Sequence, residues 1–299
     1  MDIFTHAGIG LIAAAPLLNS RPELALGLVA GSVLPDLDAA ARIFGKRAFL
    51  RAHQTWTHAL PVQAGAAVLA GVLAHHCGLD GLLAGSGLLA GLALHTLLDY
   101  SNTLGVTLLA PFSRKRFCLE WVFFIDAFVL ALTILAAGFT LQAFYRRDTL
   151  PPTAAEIYFG TLAGYFVIKG LLRRRAGRLA PGALSIMPSA LWPWRFFAVQ
   201  TAPDAVSLDR LNALTGSQTA IARQTILDAT HAQCLAPIPE FALMRELSPA
   251  YHVVTAIKTA AGERVVCRYL RTRNFGTTFG DLEIWFDANR NITRTHFHV

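Results

Sequence analysis

The chain has 299 residues and is 54% hydrophobic and 15% charged, with a mean hydropathy of +0.45 and a net charge of +7. Ordinary soluble domains carry about 25% charged residues, so this composition excludes that class. The positive charge predicts attraction to anionic lipids or substrates and by itself does not separate these from nucleic acid. Four cysteines without a CxxC pair argue against a disulfide framework or a thiolate zinc site.

The pattern of the chain changes near residue 176, where a basic cluster is followed by proline and glycine. Residues 1–176 carry long apolar, helix-like segments, and residues 177–299 carry alternating, strand-like ones. We therefore expect a mainly α, membrane-embedded helical domain over 1–176 and a C-terminal α+β domain over 177–299.

Six helical segments are predicted in the first domain. Two apolar segments, about residues 4–18 and 22–34, lie near the low end of the roughly 17–25 residues that a membrane span needs. The spacing of Gly87 and Gly91 predicts close helix packing. Four further segments are long enough to be spans: 58–76, 80–99, 120–144 and 155–172.

The second domain shows strand alternation in "YHVVTAIKT", "ERVVCRYLRT" and "DLEIWFDANRNITRTHFHV", with a hairpin turn at "DANRN". The segment "LWPWRFFAV" predicts a buried strand, with a membrane-surface segment as the alternative. The segment "SLDRLNALTGSQTAIARQTILDATHAQCL" predicts one or two helices. His296 and His298 share one strand face, which predicts a polar face, with metal binding as the alternative.

The basic residues predict the orientation in the membrane. Arginine and lysine are enriched in cytoplasmic loops, so the side that carries the larger basic set is expected to be cytoplasmic. The C-terminal domain then also lies in the cytoplasm. The larger set comprises Arg42, Lys46, Arg47, Arg51, Arg114, Lys115, Arg116, Arg173, Arg174, Arg175 and Arg178; Arg146 and Arg147 lie opposite.

Histidines and aspartates gather at the ends of the first four segments. Because helical hairpins alternate in direction, these ends lie on one membrane face. Ionisable residues that border membrane spans are costly and are functional by default. The residues are His6, Asp36, Asp38, His53, His58, His95 and Asp99.

The spacing of these residues favours a metal site. His95 and Asp99 lie four residues apart and share one helix face. Mixed histidine and aspartate ligands suit zinc, manganese or iron, and a shared carboxylate can hold one or two ions. Two simpler interpretations stay open: "PDLD" as a turn or helix cap, and His95 with Asp99 as a hydrogen-bonded pair.

The motifs "MDIFTHAGIG", "GSVLPDLD", "HQTWTHAL" and "LALHTLLDYSNTLGVTLLAPFS" resemble the YdjM family of inner-membrane proteins over roughly residues 1–135. The resemblance implies a metal-dependent hydrolase that is an integral protein of a bacterial inner membrane. His-x-x-x-Asp also resembles zinc-dependent phospholipase C and single-strand nucleases, which suggests phosphoester chemistry. Glu120 and Asp126 are candidates for a further ligand, and Glu120 alternatively caps its helix. The family resemblance implies metal ligation by His6, Asp36, His58, His95 and Asp99, and matches Asp38 and His53 less closely.

We therefore expect a membrane-bound hydrolase that cleaves an ester, first of all a phosphoester, of an anionic small molecule or lipid in contact with the bilayer. Asp38 or His53 would act as general base or orient the ligands. No P-loop, GxGxxG, GxSxG or HExxH motif occurs, and nucleic acid is not an expected partner. The alternative is a structural metal site with a C-terminal domain that binds a protein partner.

Overall fold

The computed structural model describes residues 1–146, 152–202, 205–225, 233–247, 253–260, 262–268 and 281–298. The chain divides into two compact units, Met1–Lys169 and Gly170–Val299, and the division falls inside a helix. The expected fold class is confirmed: the first unit is helical, and the second contains two antiparallel sheets. The domain boundary at residue 176 stays a prediction.

The helical region contains seven α-helices among the described residues. Two stretches of 3-10 helix, Leu34–Phe44 and Trp56–His58, lie between α2 and α4. The helices are α1 Ile3–Ala14, α2 Pro22–Val33, α3 Lys46–Ala52, α4 Leu60–His76, α5 Gly81–Ser101, α6 Ala127–Arg146 and α7 Pro152–Leu179.

Four of the described helical segments are long and apolar enough to cross a membrane: Pro22–Phe44, Gly81–Ser101, Ala127–Arg146 and Pro152–Leu179. The helix expected at 22–34 is α2, and 3-10 turns through Pro35 extend this apolar segment to Phe44, which makes it one of the four. The helix expected at 58–76 is α4; its 17 residues place it among the shorter apolar helices and not among the four.

The expected helix at 120–144 begins only at Ala127. Glu120 has a positive φ of 54° and lies in an irregular segment, so the expectation that it caps this helix was wrong. The cap is Asp126, whose Oδ1 accepts hydrogen bonds from the backbone N–H groups of Phe128 and Val129.

The core of the helical unit is small and its lipid-compatible surface is large. Ile9, Val122 and Val129 are almost completely buried in one cluster with side chains from α5 and α7. Leu82 and Phe139 are instead 82% and 68% exposed on helices expected to span the membrane. Apolar side chains on the outside are typical of helices that face lipid.

Helices α2 and α5 pack backbone to backbone, as the spacing of Gly87 and Gly91 predicted. A Cβ atom on Gly91 would collide with the carbonyl oxygen of Leu28, and one on Gly87 would collide with that of Leu24. Small residues allow such close helix contacts in membranes. The contact brings the end of α2 beside the C-terminal half of α5, where the candidate site lies.

The second unit contains two four-stranded antiparallel sheets, in the orders β1-β2-β3-β4 and β5-β6-β7-β8. Helix α8, Pro239–Leu247, lies between them in the chain. The strands are β1 Ser185–Pro188, β2 Arg195–Thr201, β3 Ala205–Asn212, β4 Gln218–Thr225, β5 Val253–Thr259, β6 Gly262–Arg268, β7 Leu282–Phe286 and β8 Ile292–Phe297.

Most strand predictions were confirmed, including "LWPWRFFAV", which contributes β2. The predicted helix beginning at Ser207 was wrong, because residues 207–225 form most of β3 and all of β4. Asn212 Oδ1 accepts from the backbone N–H groups of Leu214 and Thr215, and Gly216 has a φ of +78°, so the chain reverses there. Residues 226–232 of that prediction lie outside the described residues, and its last residues, 233–235, are helical as predicted.

Candidate metal centre

Four buried side chains converge in the helical unit. Asp36 lies in the first turn of the 3-10 helix that follows α2, and His58 ends the short 3-10 helix that precedes α4. His95 and Asp99 project from one face of α5, one turn apart. One ligand atom from each of the four lies within 4.8 Å of the others, so they form a group that could hold a metal ion.

The spacing of the ligand atoms fits a small divalent cation. His58 Nε2 lies 3.0 Å from His95 Nε2 and 3.2 Å from Asp99 Oδ2. His95 Nε2 lies 3.6 Å from both Asp99 Oδ2 and Asp36 Oδ1. Tetrahedral ligands about 2.1 Å from a zinc ion lie roughly 3.4 Å apart, which falls inside this range.

The hydrogen bonds of the two histidines leave their Nε2 atoms as electron-pair donors. His95 Nδ1 lies 2.8 Å from the carbonyl oxygen of Ser32, which can only accept, so Nδ1 carries the proton. His58 Nδ1 lies 2.9 Å from Thr57 Oγ1, whose hydroxyl donates to Asp38. Two unprotonated nitrogens 3.0 Å apart repel each other unless a cation lies between them, so the donor set fits a metal.

Asp99 is completely buried at the centre of the group. Its Oδ1 accepts from Asn102 Nδ2 at 3.0 Å, lies 3.2 Å from His6 Nε2 and contacts the amino group of Met1. Its Oδ2 accepts from Gln54 Nε2 at 3.1 Å. A buried carboxylate is costly without such partners, and these contacts satisfy both of its oxygens.

His6 faces Oδ1 of Asp99, whereas His58 faces Oδ2 of the same carboxylate. The His6 ring stacks on that of His95 with a centroid distance of 3.7 Å, and its Nε2 faces Asp99 Oδ1. Its Nδ1 is buried and has no hydrogen-bond partner among the described residues. Ligation by His6 therefore stays a prediction, and this position would require a second ion that shares Asp99.

Asp38 and His53 form a separate pair at the edge of the group. His53 Nδ1 lies 2.7 Å from Asp38 Oδ1, and the His53 side chain is 24% exposed. Asp38 Oδ2 accepts from Thr57 Oγ1 at 2.6 Å and from the backbone N–H of Gln54 at 2.9 Å. Asp38 Oδ2 also lies 3.7 Å from His58 Nδ1, so one carboxylate orients both histidine-bearing residues.

Two residues that the sequence reasoning missed connect the parts of the site. Gln54 has a positive φ of 58° and bonds to Asp38 through its backbone N–H and to Asp99 through its side chain. Asn102 donates to Asp99, and its Oδ1 accepts from the backbone N–H groups of Leu104 and Gly105. Both lie inside the quoted motifs, next to His53 and three residues after Asp99, which was the available signal.

Asp126 and Glu120, the candidates for a further ligand, lie outside the group formed by the described residues. Asp126 accepts hydrogen bonds from Tyr165 at 2.9 and 3.0 Å, and its Oδ2 lies 4.0 Å from the buried Lys169 amino group. These contacts and the cap of α6 account for a buried carboxylate at that position.

The charge state of His58 favours metal binding. Burial, and next the nearby His95 ring, lower the pKa of His58 well below its ordinary value. His58 is therefore neutral at physiological pH, and a histidine must be neutral to bind a metal.

A profile of the YdjM inner membrane protein family matches residues 1–176, the part that carries every residue of the site. The chain belongs to this family. It is thus a YdjM-family membrane protein with a buried aspartate and histidine group that could bind a metal ion.

One curated relative is similar over part of the chain. The uncharacterized protein YfhP of Bacillus subtilis (strain 168) is 25% identical over 189 residues, which cover 60% of this chain. The chain spans only about half the length of that relative, since the match covers 56% of it. No solved structure matches the chain.

Proposed function

We propose that this YdjM-family protein is a membrane-bound, metal-dependent hydrolase that cleaves a phosphoester, or another ester, of an anionic substrate in contact with the bilayer. The observation that carries the proposal is the His53–Asp38 pair. Its His53 side chain is 24% exposed to solvent, and its Asp38 carboxylate adjoins a buried group of metal-ligand type. A purely structural metal site does not need such a pair.

Asp36, His58, His95 and Asp99 would hold the first ion, and His6 would hold a second one through the shared Asp99. Zinc suits this mixed nitrogen and oxygen donor set best, with manganese or iron as alternatives. When bound, such an ion would act as a Lewis acid and make water nucleophilic near neutral pH. The buried surroundings exclude bulk water and strengthen each electrostatic interaction within the site.

His53 is the proton acceptor in this proposal. Asp38 accepts the Nδ1 proton of His53, which leaves Nε2 free of a proton and able to take one from an attacking water. Asp38 itself already accepts from Thr57 and Gln54, so it positions His53 instead of acting as the base. Arg116 supports the same residue, because its guanidinium donates to the His53 carbonyl oxygen at 3.1 Å.

The substrate class follows from charge and location. Arg114 and Lys115 are exposed in the segment that also contains Arg116, and their charge would attract a phosphate or another anionic head group. The apolar, exposed helices place the protein in a lipid bilayer, so a substrate in the membrane interface can reach the site without leaving the membrane. The C-terminal unit would lie in the cytoplasm, on the side of the larger basic set.

One observation favours a second function. The group offers four buried protein ligands, and a closed set of four is typical of structural zinc sites, whereas catalytic sites keep one position open. In that case the metal would join α2, α4 and α5, and the C-terminal unit would bind a protein partner.

Hydrolysis assays on protein purified in detergent separate the two functions. Metal-loaded wild type is assayed on phosphomonoesters, phosphodiesters and lipid esters beside His58→Ala, His53→Ala and the exposed control His76→Ala. The hydrolase proposal predicts turnover that chelators and His58→Ala abolish. It predicts that His53→Ala keeps its metal and loses roughly 10²- to 10⁴-fold in rate, the usual contribution of a general base. Fully loaded wild type without turnover on any substrate would favour the structural function.

A further inference from the structure

A second cluster of metal-ligand type lies in the other unit, on the β7–β8 hairpin. Glu283 on β7 pairs directly with His296 on β8, and His298 follows two residues later, on the same face. His296 Nδ1 lies 3.1 Å from His298 Nε2, which in turn lies 3.5 Å from Glu283 Oε1. One ligand atom from each of the three lies within 4.8 Å of the others, and all three side chains are half-buried.

The strand geometry explains why these three atoms converge. Leu282, Ile284 and Phe286 fill the buried face of β7, so Glu283 projects from the opposite face. Phe297 is likewise buried between His296 and His298, which directs both histidines to the face of Glu283. The arrangement is therefore fixed by the apolar core of the sheet.

The three donors match a borderline divalent metal. Two imidazole nitrogens and one carboxylate oxygen form a common zinc ligand set, with the fourth position left to water. The observed separations of 3.1 and 3.5 Å bracket the roughly 3.4 Å expected between tetrahedral zinc ligands. Calcium, which binds oxygen ligands, would not select a site with two histidines.

The surroundings hold the carboxylate in place. Arg264 on β6 donates to Glu283 Oε1 at 2.6 Å, and its guanidinium lies over the ring of Trp285 at 5.5 Å from the centroid. Carboxylates that bind metals are commonly held by such hydrogen bonds. An ion-pair network of Arg264, Glu283 and His298 is the competing explanation of the same contacts, and it predicts no metal.

We propose that Glu283, His296 and His298 form a second site for a divalent transition metal of the zinc class, separate in sequence and ligands from the buried group of the helical unit. Among the described strands, β8 lies at one edge of its sheet and pairs with β7 alone. A metal that joins Glu283 of β7 to the two histidines near the end of β8 would clamp this edge strand.

Metal titration of the full chain in detergent tests the proposal. Zn²⁺ binding is measured by equilibrium dialysis and calorimetry for wild type, His298→Ala and Glu283→Gln, with His76→Ala as a control for an exposed histidine. We expect His298→Ala to remove one equivalent of zinc or to weaken it at least tenfold, Glu283→Gln to weaken the same equivalent, and His76→Ala to change nothing. Equal stoichiometry and affinity in wild type and His298→Ala would overturn the proposal.

A second measurement on the unaltered chain guards against variants that do not fold. Histidine modification by diethylpyrocarbonate is mapped by mass spectrometry with and without Zn²⁺. The proposal predicts that zinc slows modification of His296 and His298 severalfold and leaves the exposed His75 and His76 unchanged. Modification rates of His296 and His298 that are the same with and without saturating zinc would overturn it.

Discussion

Asp99→Asn should abolish the stabilisation of the helical unit by metal. The change keeps the shape of the side chain, removes its charge and replaces one oxygen by an NH₂ group. Both oxygens of Asp99 accept hydrogen bonds, Oδ1 from Asn102 and Oδ2 from Gln54. In either orientation the NH₂ group of the new asparagine would therefore face another NH₂ donor, and one hydrogen bond would be lost. A lost hydrogen bond to a charged group costs about 1.5–3 kcal/mol, and this destabilisation is expected without metal.

The loss of stabilisation by bound metal adds to this metal-independent destabilisation, and it tests ligation by Asp99 more directly. A metal at 100 times its dissociation constant stabilises the wild type by about 2.7 kcal/mol. For a unit of this size that corresponds to a rise in Tm of about 5–10 °C. The assay is thermal unfolding in detergent, with and without Zn²⁺.

Asp80→Asn is the matched control for this experiment. It makes the same chemical change at the other end of α5, where Asp80 caps the helix by accepting from the Leu83 N–H. Asparagine caps about as well, so Asp80→Asn should keep both its stability and its response to zinc. If Asp99→Asn responds to zinc as strongly as Asp80→Asn does, Asp99 is not a metal ligand.

Three further predictions concern packing, pH and topology. Gly91→Ala places a methyl group against the Leu28 carbonyl oxygen and should lower both the Tm and the zinc content. Gly65→Ala, which has open space around its Cβ, should lower neither, and an equal effect of the two substitutions would contradict the α2–α5 contact. Because the pKa of His58 is lowered, zinc should stay bound as pH falls to about 6.5 and be released only below that pH; dialysis at stepped pH checks this, and release centred above pH 6.5 would oppose it. The metal-free protein should lose stability as pH falls below about 6.5, because His58 takes up a proton in the unfolded chain before it does so in the folded protein. A reporter fused after Val299 should read as cytoplasmic, and a periplasmic signal would reverse the proposed orientation.

Local sequence patterns predicted the membrane character and the meeting of the histidines and aspartates. Apolar segment lengths located the helices but not the start of α6, which begins at Ala127. The four-residue spacing placed His95 and Asp99 on one face. The role of Gln54 could not be predicted, because it depends on a left-handed backbone conformation and on hydrogen bonds to Asp38 and Asp99, which are distant in sequence. The role of Asn102 depends on the loop that follows α5, because its side chain accepts hydrogen bonds from backbone N–H groups of that loop. Leu208, Leu211 and Leu214 have a spacing of three that also fits a helix. The segment forms strand β3 because it pairs with β2, a contact that the local pattern does not show.

The central claim is that metal in the buried group drives hydrolysis. The most direct test is to remove all metal from His298→Ala protein in detergent, restore zinc in substoichiometric steps, and measure bound zinc and turnover of the best substrate at each step. The account predicts that turnover is zero without metal, rises with bound zinc and reaches a plateau at one or two equivalents, the number the buried group can hold. Turnover that does not depend on occupancy, or that is absent at full occupancy on every ester tested, would contradict it.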